Sequence, residues 1–263
     1  MPDRYTYPDS EVLVNLPGYR DPAAWHEAET ALVQIRMAEL TDHPLPGDFG
    51  LDHLRAIHRH LTQDLYIWGG QLRDTDTGPA GTGLAHCRPE FIPAEAERIF
   101  GRLAAEQRLT GLDRDAFAGR LSWVWGETTA LHPFRDVNTR SQFVFFNDLA
   151  RQAGWVIDWR QIDPHVFAHA RTLAIAQDER GIEALLQPAL LTVADAARHD
   201  ELVDHMTEIR LEHLRPRPAR PVTELDADLR RAIEARRSRL APPESFGQDS
   251  PVSGIREPPL LGL

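Results

Sequence analysis

The chain has 263 residues, a formal net charge of −11 and 42% apolar residues. Such length and apolar content suit one large domain, or a domain with an appendage, and exclude wholesale disorder. The acidic balance excludes a general nucleic-acid or membrane-surface binder, which needs a basic face, and because all 29 basic residues are arginine, Schiff-base lysine and Walker-type phosphate chemistry are excluded too.

Residues 1–21 are rich in Pro, Gly, Asp and Tyr and read as an extended arm with no secretory leader. Asp21-Pro22 then supplies an N-cap and a first-turn proline, and Ala24, Ala28, Ala31, Leu32, Ile35 and Leu40 follow at helical spacing. The break His43-Pro44-Leu45-Pro46-Gly47 ends that helix. Leu51, Leu54, Ile57, His58 and Leu61 define a second one, on which His53, His58 and His60 share no single face and read as solvated surface. Residues 73–89 are polar, carry Gly78, Gly81 and Gly83, and read as a hairpin or flap. Cys87 within it is the only cysteine, which rules out an intramolecular disulfide, reads as a small apolar filler and fits a bacterial cytoplasmic setting.

Helical spacing resumes over 93–103, 114–131 and 140–154; residues 164–190 add one or two helices, and a short helix is expected over 194–214. Trp155 and Trp159 are expected to pack the back of the domain. His165 and His169, one turn apart behind Asp163, lack a third ligand at a recognised spacing and read as surface. The Arg-rich patch at 224–240 is mixed with acidic residues and reads as a solvated helix face, and the Pro-rich end reads as a tail. No run approaches ~18 uninterrupted apolar residues, so no membrane span is expected. The expected class is mainly α with one small β-hairpin, organised as residues 1–44 (arm and helix), 45–190 (main domain) and 191–263 (helix and tail).

The chemistry concentrates in Leu131–Leu149, LHPFRDVNTRSQFVFFNDL. A helix is interrupted at His132-Pro133, a polar loop follows, and a second, strongly apolar helix begins near Thr139 or Arg140. A loop opening onto a helix N-terminus aims backbone N–H groups and the positive dipole end at one spot, which favours an anion. Arg140 adds a forked donor suited to phosphate. Asp136 is a hard oxygen ligand able to hold Mg²⁺ between phosphates. Asn138 can adopt a left-handed turn and donate its amide to a phosphate oxygen. His132 is the one side chain there that accepts a proton near neutral pH. Base, metal carboxylate and phosphate cradle within one loop suit phosphoryl or nucleotidyl transfer; Arg135 reads as surface.

At these residues the sequence resembles the Fic family, whose signature runs HPFx(D/E)GNGRxxR. Tyr5-Thr6-Tyr7-Pro8 with Val12, Leu13 and Asn15, the segment Tyr66-Ile67-Trp68-Gly69-Gly70-Gln71-Leu72-Arg73, and Cys87-Arg88-Pro89-Glu90-Phe91-Ile92 extend the likeness over about residues 5–190. The resemblance implies a Fic-type helical bundle and transfer of a nucleoside monophosphate, from ATP or another nucleoside triphosphate, onto a Ser, Thr or Tyr hydroxyl of a target protein. His132 would deprotonate that hydroxyl, Asp136 would bind Mg²⁺, and Val137, Asn138, Thr139 and Arg140 would hold the phosphates. The flap at 74–87 would pair with an extended segment of the target by strand addition.

The signature is divergent. Val137 and Thr139 stand where the family has glycines, and a β-branched residue resists positive φ. Phe143 replaces the second arginine, which in the family meets the terminal phosphate of ATP; it reads as core because Phe143, Phe146 and Leu149 share helical spacing. The resemblance also implies a small antitoxin-like regulator, although Phe143 offers it no arginine and the inhibitory pattern (S/T)xxxE(G/N) is absent from the chain. Two alternatives follow: a phosphoryl or other-nucleotide transferase on the same site, and a degenerate domain that binds a protein partner without catalysis. A third is an assembly role carried by the C-terminal tail.

Overall fold

A computed structural model of the chain describes residues 4–196. The described residues are mainly helical: α1 (Pro22–Asp42), α2 (Leu51–Thr62), α3 (Ile92–Ala105), α4 (Arg114–Leu131), α5 (Asn138–Gln152), β1 (Trp155–Ile157), α6 (Pro164–Ile175), α7 (Arg180–Ala189), β2 (Leu190–Thr192) and the single turn α8 (Val193–Ala196). Local chemistry starts several of them. Asp21 accepts from the Ala24 N–H at 2.8 Å, Asp113 from Ala116 at 2.9 Å, and Asp163 from His165 and Val166 at 2.7 and 2.9 Å. Each acceptor satisfies first-turn donors that have no partner inside the helix.

Helix α4 lies at the centre and packs on α3, α5, α6 and α7, while α2 and α1 close over α5. The heart of the core is aromatic. Trp125 stacks on Phe146 with centroids 4.5 Å apart and meets the edges of Phe143 and Phe167. Phe143 also packs on Trp159 at 4.8 Å, so the residue at the family's second-arginine position is core, as its spacing predicted. Burying each such ring stabilises the fold by about 1.5–3 kcal/mol. One contiguous cluster runs from Tyr5 to Leu190, so the N-terminal arm and α1 share the core with the helices that follow.

Three sequence expectations are corrected. On α1 the buried face is Trp25, Glu29, Val33, Met37 and Leu40, whereas Ile35 is 57% exposed. Two stripes of this helix have helical spacing, and the one with larger side chains removes more apolar area from water. The histidines of α2 are not solvated: His53 and His58 are buried, and His60 is half-buried, with Nε2 2.9 Å from Glu39. The small antiparallel sheet exists, but it pairs β1 with β2 in the register Trp155↔Thr192, Val156↔Leu191, Ile157↔Leu190 and does not lie in the flap. In the flap Gly81 and Gly83 take φ of 74° and 69°, as a turn requires, and the His86 N–H donates to the Thr77 carbonyl at 3.0 Å across the arms, but no ladder forms.

The expected helix at 194–214 falls mostly outside the described residues, as do the Arg-rich patch and the Pro-rich tail. Among the described residues no helix is long and apolar enough to cross a membrane.

Candidate functional site

The loop between α4 and α5 is made by two left-handed residues. His132 (φ 44°, ψ 63°) ends α4, and Pro133, with no N–H, cannot continue it. Val137 (φ 58°, ψ 12°) makes the second reversal, and α5 begins at Asn138, one residue before the expected start. The left-handed conformation therefore falls on the valine and not on Asn138. A β-branched residue is strained there by about 1–2 kcal/mol, but the Val137 side chain joins the buried core, which offsets the strain. Glycine at an ordinary position is less stable than alanine by about 1 kcal/mol. At 137 the order should invert: Val137→Gly is expected to melt at or above Val137→Ala in a thermal denaturation series, and an alanine variant clearly more stable than the glycine variant would contradict the positive φ.

The loop is held from within and from α2. Asn138 Oδ1 accepts from the Phe134 N–H at 2.9 Å, and its Nδ2 donates to the carbonyls of Phe134 and Asp136 at 2.8 and 3.3 Å. The Asn138 amide thus staples the loop, and its expected bond to a phosphate is replaced by these. His58 stacks on Phe134 with centroids 3.8 Å apart. Its Nδ1 accepts from the Gly70 N–H at 2.8 Å, so its protonated Nε2 donates to the Asp136 carbonyl at 3.1 Å. A second proton would set two donors face to face at Gly70, and burial pushes the His58 pKa down to about 3. Because the folded pKa lies below the unfolded value, this stabilisation is complete above pH ~6.5 and is lost as the pH falls from there towards about 3. Chemical denaturation at two pH values two units apart in this window should show wild type losing about 2–3 kcal/mol more than His58→Gln. Equal losses would show that His58 carries no such linkage.

The six residues singled out in the sequence, His132, Asp136, Val137, Asn138, Thr139 and Arg140, all line one cleft of about 480 Å³. That volume is in the range of small-molecule sites. The backbone N–H groups of Asn138, Thr139 and Arg140 have no acceptor among the described residues and form the positive end of α5. The Val137 N–H is already taken, by Asp136 Oδ1 at 2.6 Å. The Asp136 side chain is otherwise 40% exposed in the cleft. Among the described residues no cluster of three metal-ligating side chains occurs. Asp136, a hard oxygen donor in the cleft, is chemically suited to be one carboxylate ligand of Mg²⁺.

Other elements contribute residues that sequence reading missed. Glu29 on α1 accepts from Arg140 Nη2 at 3.2 Å and from the Tyr66 hydroxyl at 2.9 Å. Burial first, and the Asp136 charge next, hold the Glu29 carboxyl above its usual range, while Arg140 opposes them. A phosphate entering the cleft must share Arg140 with this carboxylate. The spacing Trp25, Glu29, Val33, Met37 was the available signal, since it sets a carboxylate in the middle of a large-residue stripe.

From the flap, His86 lies flat on His132 with centroids 3.7 Å apart and planes 3° from parallel. The His132 Nδ1 is sealed from solvent, and the hydrogen-bonding group the ring faces is the Thr129 backbone. Burial, then the neighbouring His86, Arg171 and Arg73, push the His132 pKa well below 6.5, so the ring is neutral at physiological pH. The flap is anchored by Arg73, whose guanidinium donates to the carbonyls of His132 and Thr75 at 2.7 Å each, of Leu131 at 3.3 Å, and of Cys87. The Arg73 N–H reaches the Pro133 carbonyl at 2.9 Å and the Cys87 N–H reaches the Ala130 carbonyl at 2.8 Å, so one flap end is tied to the loop and the other to the last turn of α4.

Fold and site together define a helical protein with an unpaired helix N-terminus, an exposed carboxylate and a neutral imidazole in one cleft. The sequence model of the Fic/DOC family matches residues 48–150. VbhT of Bartonella schoenbuchensis, named a protein adenylyltransferase, is 40% identical over 161 residues, which are 61% of this chain and 33% of VbhT, so the chain spans about a third of that relative. The protein y4lH of Sinorhizobium fredii, named a probable protein adenylyltransferase, is 38% identical over 178 residues, covering 67% of this chain and 90% of y4lH. The ADP-bound N-terminal Fic domain of a VirB-translocated Bep effector protein from Bartonella quintana superposes with a TM-score of 0.67 at 26% identity, over 72% of this chain and 94% of that one. The chain belongs to the Fic/DOC family.

Proposed function

We propose that this protein transfers a nucleoside monophosphate from a nucleoside triphosphate to a hydroxyl side chain of a target protein. The observation that carries this reading is the neutral His132 ring at a cleft whose floor is the unpaired N-terminus of α5. His132 accepts the proton of the target hydroxyl as its oxygen bonds to the α-phosphorus, and the bond from that phosphorus to the β-bridging oxygen breaks to release pyrophosphate. The N–H groups of 138–140 and Arg140 stabilise the charge that develops on the phosphates. Asp136 would hold Mg²⁺, which supplies further neutralisation of the phosphates.

The target is read as docking along flap 74–87. Beyond the turn that holds Gly81 and Gly83, Leu84 and His86 are buried and Ala85 between them is exposed, the alternation of a short extended edge. The N–H groups of Gly83 and Ala85 have no acceptor among the described residues, as strand addition requires. A small antitoxin-like regulator and a cytoplasmic site of action belong to the same reading by family likeness. A second reading, a partner-binding module without transfer, is favoured by the capture of Arg140 by Glu29 and of the Val137 N–H by Asp136.

Incubation with Mg²⁺, bacterial extract and ATP labelled at either the α or the γ phosphate decides between them. Protein-bound α label that vanishes in His132→Ala supports nucleotidyl transfer. Label from γ would point to phosphoryl transfer. No His132-dependent label with any nucleoside triphosphate would remove the enzyme reading and leave the module.

A further inference from the structure

Arg171, on α6, lines the same cleft as His132 and Thr139. Its Nη2 donates to Thr139 Oγ1 at 3.2 Å and, at the limit of a hydrogen bond, to Gln142 Oε1 at 3.4 Å. Its Nε is sealed from solvent and meets no acceptor. No carboxylate among the described residues lies within ion-pair distance of it. The other buried arginines differ in this respect: Arg73 is spent on backbone carbonyls, and Arg140 is paired with Glu29. Burial without a counter-charge pushes the Arg171 pKa down to about 10, which leaves it a cation at neutral pH.

An unpaired buried guanidinium is costly and is retained where something else compensates it. Here it faces the positive end of α5, with Arg140 across the cleft, while Glu29 is committed to Arg140 and Tyr66. Arg140 is thus balanced by Glu29, whereas the Arg171 charge beside the α5 N-terminus has no carboxylate within ion-pair distance among the described residues. Packing explains how the cation reaches this place. Phe143 of α5 offers no charge and packs on Phe167 at 5.9 Å, and Arg171 follows one turn after Phe167 on the same face of α6.

We propose that Arg171 is a phosphate-binding residue of this site, taking an oxygen of the donor's polyphosphate together with the Thr139 hydroxyl and the α5 N-terminus. This rests on the nucleotide reading above for the identity of the ligand, but not for the presence of an anion site. Nη1, which makes no hydrogen bond, and the remaining donor of Nη2 form the end of the fork that a phosphate can reach, while the sealed Nε cannot take part.

The test is calorimetric titration of the full chain with Mg·ATP and, separately, with Mg·pyrophosphate, for wild type, Arg171→Met and Arg171→Lys. Arg171→Met should weaken both ligands about ten- to a hundredfold, the usual effect of losing charge-assisted hydrogen bonds, and Arg171→Lys should recover part of the loss. Without ligand, Arg171→Met should melt at or above wild type, because it removes an uncompensated buried charge. Binding of both ligands unchanged within twofold in Arg171→Met overturns the assignment and leaves the nucleotide reading standing. So does a lowered melting temperature without a binding defect. If pyrophosphate binds through Arg171 while ATP does not bind at all, the anion site stands and the nucleotide reading falls. Wild-type protein that binds neither ligand overturns both.

Discussion

His132→Ala is expected to reduce transfer of α-labelled nucleotide by about a hundred- to ten-thousandfold, the usual contribution of a positioned general base. The imidazole suits that role for a physical reason. Its burial, and the positive charge of Arg73 and Arg171 nearby, disfavour the imidazolium, so the ring is unprotonated and ready to accept a proton. The folded pKa lies well below 6.5, so kcat/KM in wild type should show no loss attributable to His132 as the pH is lowered from about 8 to about 6. The substitution should leave the fold nearly intact, because the ring's main contact is the stack on His86 and its one backbone partner is Thr129, in the preceding turn. Nucleotide binding measured by calorimetry should change little. Transfer that persists within tenfold of wild type would show that another group takes the proton.

Arg73→Leu is expected to cost about 3–5 kcal/mol, from the loss of charge-assisted hydrogen bonds to four backbone carbonyls. Arg73 is buried, and its guanidinium serves the carbonyls of Leu131 and His132 at the C-terminal end of α4 as well as those of Thr75 and Cys87 in the flap. The first two sit at the negative end of the helix dipole and have no continuing helix to bond them. A leucine would leave buried acceptors unpaired, at about 1–3 kcal/mol each before relaxation. For a chain of this size the melting temperature should fall on the order of 10 °C. Arg73→Lys, with a point charge in place of a fork, should fall between the two. Proteolysis should cut the flap of Arg73→Leu faster than that of wild type, since both flap ends share the anchor. A melt within two degrees of wild type would show that water replaces the guanidinium at no cost.

The Arg73 anchor also shows why much of the site was invisible along the chain. Its partners His132 and Leu131 are 59 and 58 residues away, Glu29 meets Arg140 across 111, and His58 meets the Asp136 carbonyl across 78. Helical spacing says that a side chain faces inward but not what it meets there. The same limit misplaced the α1 face, where two stripes fit the period and only packing chose the one carrying Glu29. The three-residue strands β1 and β2 were too short for alternation to register, and the glycines of the flap do form a turn, but its arms share a His86–Thr77 backbone bond without a ladder.

The sequence by itself determined the helices, since their caps and apolar periods are local, and it determined the loop, since His132, Asp136 and Arg140 lie close enough along the chain for one turn to gather them. It also signalled that Phe143 is core. Tertiary structure alone decided how the gathered groups are used: Asn138 staples the loop, Val137 is held left-handed by core burial, Glu29 engages Arg140, and Arg171 brings an uncompensated charge to the cleft. Those outcomes depend on desolvation and on partners delivered by other helices, and neither quantity is written in the spacing of a single segment.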